Sequence, residues 1–254
     1  MADVLERIVC GVDGSPESLE ALRQIELLRP RDAEFRLLAV AELSLAVHGG
    51  LFAPMLYEQT LSAAEIALAR AGEHSRTSSS RLVEGSPAQA LLLEIDRYRA
   101  TAVALGSHGQ SRAAGILLGG TATTLLHEAP CSVLLAREPG SPNEFPASIV
   151  VGVDGSSASL RALDAARVLG ERLRRPLRVL AATGGKPLHL DGLKDVGAVD
   201  WDERKPADAL VAASHANDLV VVGSRGLHGL EALGSVSERV AHHSASSVLV
   251  VRTA

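Results

Sequence analysis

Ile8-Val9-Cys10-Gly11-Val12-Asp13-Gly14-Ser15 recurs as Ile149-Val150-Val151-Gly152-Val153-Asp154-Gly155-Ser156, an apolar run that ends each time in Asp-Gly-Ser. A recurrence of this kind marks a duplicated unit, so functional groups are expected at paired positions. The likeness extends outward from the motif. Leu19, Ala21 and Leu22 match Leu160, Ala162 and Leu163, and the copies close on Cys131-Ser132-Val133-Leu134-Leu135-Ala136-Arg137 and Ser246-Ser247-Val248-Leu249-Val250-Val251-Arg252. Between them, Glu138-Pro139-Gly140-Ser141-Pro142-Asn143-Glu144-Phe145-Pro146 is rich in residues that interrupt regular structure. The first copy is therefore placed at residues 1–140 and the second at 146–254.

Composition limits the function. The chain is 46% hydrophobic but holds only three Phe, two Tyr and one Trp, so its cores must be built from Val, Leu, Ile and Ala, as parallel strands buried on both faces require. Scarce aromatics and a net charge of −5 without a basic run argue against a nucleic-acid surface. No apolar run approaches bilayer length, and the N-terminus lacks a leader pattern, so the expected location is cytoplasmic, with no membrane partner. Cys10 and Cys131 read as core residues in apolar strands, and the nine His lack zinc spacing. No metal site is expected.

In the first copy, apolar runs near 7–12, 35–41, 78–84, 101–106 and 131–137 alternate with helix-period segments near 16–28, 55–73, 87–98 and 119–128. Strand-helix alternation implies right-handed crossovers and a parallel sheet with helices on both faces. The second copy repeats the plan with strands near 148–153, 177–182, 196–201, 218–223 and 246–252. From Asp13 to Gly106 is 93 positions, against 69 from Asp154 to Gly223. The deficit falls after the second strand, where a stretch broken by Gly184, Gly185, Pro187 and Gly192 replaces a helix. One face of that sheet is then expected to be covered by the other copy or by another subunit.

Two loops per copy carry chemistry. Asp-Gly-Ser ends the first strand. After the fourth come Gly106-Ser107-His108-Gly109 with Gly119-Gly120-Thr121, and Gly223-Ser224-Arg225-Gly226 with Gly234-Ser235-Val236-Ser237. Glycines let backbone amides approach an anion, and a following helix N-terminus adds unpaired N–H groups and a favourable dipole. A tight strand-to-helix connection explains the same glycines without a ligand. Topology favours the ligand, because parallel sheets bind at the point where strand order reverses. The P-loop lysine, the dinucleotide glycine fingerprint and the Gly-x-Ser-x-Gly elbow are all absent, and adjacency of Ser107 to His108 does not by itself make a nucleophile and base.

The combination of Gly11-Val12-Asp13-Gly14-Ser15, the spacing Gly106-x2-Gly109-x9-Gly119 and the closing Ser-Val-Leu-Val-Val-Arg resembles the universal stress protein family in its tandem, two-domain form, over nearly the whole chain. The resemblance implies two Rossmann-like (HUP-type) α/β domains, each an open five-stranded parallel sheet in order 3-2-1-4-5 with helices on both faces, paired through the fifth strands. It further implies an adenine nucleotide at the switch point: ATP, or ADP or AMP in its place, with Mg as a companion ion. By the same resemblance Asp13 and Asp154 would sit beside base and ribose, while Val40 and Ala41, and Leu180 with Ala181, would offer backbone groups to the adenine edge. Gly106, Gly109, Gly119 and Gly120, with the Thr121 hydroxyl, would cradle phosphates in the first copy. Gly223, Gly226, Gly234, Ser235 and the nearby Ser237 would do so in the second.

Both copies depart from the family pattern. Gly120 stands where a hydroxyl residue is expected, and the second copy's loop is two residues shorter. The shorter loop shifts the second cradle and the missing helix alters its wall near the base, so the first site is favoured. The resulting expectation is a stress-response protein whose nucleotide acts as a regulatory ligand, with a nucleotide-free scaffold and a slow ATPase as alternatives and no residue suited to efficient catalysis. Pairing within the chain is expected, a homodimer of whole chains stays open, and no protein partner is indicated.

Overall fold

A computed structural model describes residues 4–42, 50–76, 79–108, 118–139, 144–184, 196–224 and 234–252. They form two compact units, Leu5–Leu125 and one built on Leu126–Ala254. The first contains β1 (Arg7–Gly11), α1 (Pro16–Leu28), β2 (Glu34–Ala41), a 3-10 turn (Gly50–Phe52), α2 (Ala53–His74), β3 (Ser80–Glu84), α3 (Pro87–Tyr98), β4 (Ala102–Gly106) and most of α4 (Gly120–Glu128). Its strands are parallel and ordered β3-β2-β1-β4. β1 is central because Ile8, Val9 and Cys10 are wholly buried, which a strand achieves only with neighbours on both sides and layers on both faces. α1 begins where the sequence signals it: Ser15 Oγ accepts the Ser18 N–H at 3.2 Å and Pro16 fills the first turn. Its buried stripe of Ala21, Leu22, Ile25 and Leu28 follows helical spacing, and burying each large side chain contributes about 1.5–3 kcal/mol.

The second unit contains β5 (Ser132–Ala136), β6 (Ile149–Gly152), α5 (Ser157–Leu173), β7 (Leu177–Ala182), β8 (Asp200–Asp202), α6 (Pro206–Ala213), β9 (Leu219–Gly223), α7 (Ser235–His243) and β10 (Ser247–Val251). The order β8-β7-β6-β9-β10 reproduces the expected 3-2-1-4-5 with all pairs parallel. The third strand is shorter and later than expected, three residues starting at Asp200. Among the described residues β7 leads to β8 without a helix; 185–195 lie outside them. Gly197, Ala198, Asp200 and Trp201 are exposed in the single chain, next to the sheet face for which cover by the other copy or by another subunit was expected.

β5, from the first copy, belongs to the second unit because it pairs antiparallel with β10, Val133 opposite Val250 and Leu135 opposite Val248, all fully buried. Pairing the two apolar edges removes both as templates for aggregation. The seam is reciprocal. The Arg252 N–H donates to Ser132 Oγ at 3.1 Å, and the Arg137 N–H donates to Ser247 Oγ at 3.0 Å. Each guanidinium then reaches the other copy's last helix: Arg252 donates to Leu126 O and Ala129 O at the end of α4, and Arg137 to Ala241 O in α7 and to Ser246 O. Helix ends leave carbonyls without partners and carry negative partial charge, so a buried cation is well placed there. Burial lowers the Arg137 pKa to about 10, which keeps the side chain charged at neutral pH. Both cysteines are free and buried, as expected of core residues, and burial pushes the Cys131 thiol up to about 12. Among the described residues no helix is long and apolar enough to cross a membrane.

Candidate functional site

In each copy the Asp-Gly-Ser segment folds as a turn locked to the helix behind it. Asp13 Oδ1 accepts the Ser15 N–H at 2.9 Å and the Ser15 hydroxyl at 2.5 Å, and the Asp13 N–H donates to Ser18 Oγ at 3.3 Å. The second copy repeats this: Asp154 Oδ1 accepts the Ser156 N–H at 3.0 Å, and the Asp154 N–H donates to Ser159 Oγ at 3.2 Å. Gly14 and Gly155 have φ of 79° and 82°, a left-handed conformation that a side chain resists. One carboxylate oxygen is thus committed to the turn. Ser18 and Ser159 were missed by the sequence reading, although Ser-x-x-Ser recurs in both copies.

Strand register brings the two loops together. β1 pairs with β4 at Cys10 and Ala104, so three residues further on Asp13 and Ser107 leave neighbouring strand ends. β6 pairs with β9 at Val151 and Val221, and Asp154 and Ser224 follow in the same way. These are the points where strand order reverses, with β2 on one side of β1 and β4 on the other.

The glycines divide into two kinds. A Cβ on Gly106 would lie 2.7 Å from the Glu17 carbonyl carbon, and one on Gly223 only 2.3 Å from Ala158 O. These two let α1 and α5 pack directly on β4 and β9, a structural role that accounts for them with no ligand. Gly120 faces open space, and a Cβ on Gly234 would make only ordinary contact at 3.6 Å with Ser237 Oγ. The Gly119 N–H is already engaged, donating to Ser107 O at 2.8 Å, and Gly119 O accepts from the Thr123 N–H. Thr121 follows Gly120 in the first turn of α4, half-buried. Gly109 and Gly226 lie outside the described residues.

A cavity of about 160 Å³ opens in the second copy between the Asp154 turn and the start of α7. Leu180, Pro206 and Leu210 make an apolar wall, while Gly223, Gly234, Ser235, Val236 and Ser237 line the polar end. α1 and α5 are capped by their own serines, but among the described residues no side chain caps α7 at Gly234. Amides of its first turn are therefore left without intrahelical partners at the cavity, and the helix dipole adds positive potential. Ser237 is buried and its hydroxyl donates to Gly234 O at 3.0 Å, which shapes the turn. Pro206 and Leu210, from the helix that follows β8, also escaped the sequence reading, because nothing local marks them.

In the first copy Val40 is half-buried and Ala41 fully buried at the end of β2, where Ala41 O accepts the Gly85 N–H at 3.0 Å. The loop 109–117 that would complete this site lies outside the described residues. Ser107 Oγ lies 3.1 Å from His108 Nδ1, so these neighbours do meet. Among the described residues, no cluster of three or more His, Cys, Asp or Glu side chains is suited to a metal ion.

Known proteins share the sequence pattern and the fold. The family model for the universal stress protein family matches residues 5–137 and 184–252. Universal stress proteins Rv2623 and Rv2005c of Mycobacterium tuberculosis are each 30% identical to this chain in alignments covering 96% of it and 96% of either relative. In fold, the crystal structure of a universal stress protein from Archaeoglobus fulgidus superposes with a TM-score of 0.69 at 21% identity, covering 98% of both chains. With the duplicated Asp-Gly-Ser strand, the 3-2-1-4-5 sheet and a match over both copies, the chain belongs to the universal stress protein family in its tandem form.

Proposed function

We propose that this protein binds an adenine nucleotide, ATP foremost, as a regulatory ligand, and that the cleft of the second copy is its principal site. The observation that carries this reading is the convergence, at a topological switch point, of an uncapped helix N-terminus, an aspartate-tipped strand and an apolar wall around one cavity. The amides of Ser235 and Val236 suit phosphoryl oxygens, Leu180 and Leu210 suit a purine face, and the Asp154 carboxylate that lines the cavity suits a ribose hydroxyl. Gly120 supports a related cradle in the first copy, since its lack of a side chain leaves open space. As a regulatory ligand, bound nucleotide acts by favouring one conformation or partner complex over another.

Isothermal titration of the intact chain with ATP tests this, run beside Asp154→Ala and Asp13→Ala. Losing a charged hydrogen bond of about 1.5–3 kcal/mol should weaken binding about tenfold or more in Asp154→Ala. Absence of heat and of any thermal shift at millimolar ATP would leave the scaffold reading, in which Gly106 and Gly223 serve helix packing alone.

A further inference from the structure

A second cavity, of about 290 Å³, lies in the first unit where α1 ends. It is bordered by Phe35, the second residue of β2, which pairs with Ile8. Asp13 lies five residues beyond Ile8, about 16 Å along the strand direction, so this cavity is at the opposite end of β1 from the Asp13 turn. Its charged lining is three arginines, Arg29, Arg31 and Arg76, against one glutamate, Glu26.

The glutamate is already spent within the fold. Glu26 Oε2 accepts from Arg29 Nε at 3.0 Å and from Arg29 Nη2 at 2.8 Å, and Oε1 accepts from Ser75 Oγ at 2.7 Å and from the Arg76 N–H at 3.1 Å. This ties the end of α2 to the end of α1. Arg29 is held rigid as well: its Nη1 donates to Ala33 O at 3.3 Å and its guanidinium lies 5.0 Å from the Phe35 ring centroid. Arg31 and Arg76 are exposed, and among the described residues neither guanidinium meets a carboxylate. Two positive charges therefore face one polar cavity without compensation, on a chain whose net charge is −5.

We propose that this cavity is an anion site for a compact phosphorylated molecule with the charge density of pyrophosphate. Guanidinium forks match phosphoryl oxygens two at a time, and one arginine held by the fold beside two exposed ones leaves little ordering cost on the fixed side. The site stands apart from the proposed nucleotide cleft and does not depend on it.

The test is calorimetric titration of the full chain with pyrophosphate at low salt, with citrate as a parallel ligand, on wild type and on the double variant Arg31→Ala/Arg76→Ala. Both side chains are exposed, and an unchanged thermal midpoint would verify the fold. Loss of two charge-assisted contacts should weaken pyrophosphate at least about tenfold, and added salt should weaken wild type in the same direction. Pyrophosphate heat that persists unchanged in the double variant belongs to another site and overturns the proposal. So does citrate binding as tightly as pyrophosphate, or wild type giving no pyrophosphate heat.

Discussion

Replacing Gly223 by alanine separates packing from ligand binding. The added Cβ would stand 2.3 Å from Ala158 O and 2.5 Å from its carbonyl carbon. Ordinary contact begins near 3.4 Å, so α5 and β9 must part by about 1 Å. The obstacle is backbone in the first turn of a helix pinned by Ser156 and Ser159, and it cannot swing aside as a flexible side chain would. Overpacking of this kind costs about 1–3 kcal/mol, here toward the upper end, while alanine regains about 0.5–1 kcal/mol of strand propensity. The net expectation is a loss of about 2 kcal/mol, or a thermal midpoint lower by about 4–8 °C in a chain of this size. Gly120→Ala is the matched control, since a Cβ there meets nothing within 4 Å. It should leave stability unchanged or raise it by up to about 1 kcal/mol while weakening nucleotide in the first copy. Urea denaturation of both variants reads the difference. Equal midpoints for Gly223→Ala and wild type, or equal losses in both variants, would refute the division of glycines drawn from the structure.

Arg252→Met strips the end of α4 of its buried donor and should cost about 3 kcal/mol by urea denaturation, because two carbonyls lose charged partners; a change below about 0.5 kcal/mol would contradict the capping role. His242 has its pKa lowered, first by burial and then by His243, Arg137 and His127, against the opposing pull of Glu238. The unfolded chain therefore binds this proton more readily, and stability should fall as pH drops through about 6.5. His242→Gln should flatten that slope between pH 7.5 and 5.5, measured as thermal midpoints. Arg174 ends α5 with φ of 54°, so Arg174→Gly should stabilise by about 1 kcal/mol, and a destabilised variant would mean that its side chain does more than cap.

Most of the fold was legible because each element carries a local signature. The Ser15-Pro16 and Ser86-Pro87 pairs mark helix starts, and the buried strands read as unbroken apolar runs. β8 was harder. Its three residues, Asp200, Trp201 and Asp202, are mostly exposed and hold no apolar pattern, and the strand is fixed by its pairing with β7. The site was legible where repetition flagged it, at Asp13 and Asp154 and the glycine loops. Sequence could not distinguish Gly223, which serves helix packing, from Gly120, which faces space, because the difference lies in how closely a distant helix approaches. Nor did it show the wall that α6 supplies to the cavity of the second copy through Pro206 and Leu210, because those residues come near the site only through the fold.

The exchanged arginines bear on how the polypeptide can be divided. Severing the chain at its proline-rich connector would release two fragments, each with an unfinished helix and a bare hydrophobic border, since β5 completes its hydrogen bonding on β10 and Arg137 and Arg252 serve each other's neighbours. Separately expressed halves should accordingly be insoluble alone and recover when co-expressed, and deleting only the final strand should harm the opening half of the polypeptide as much as the closing one.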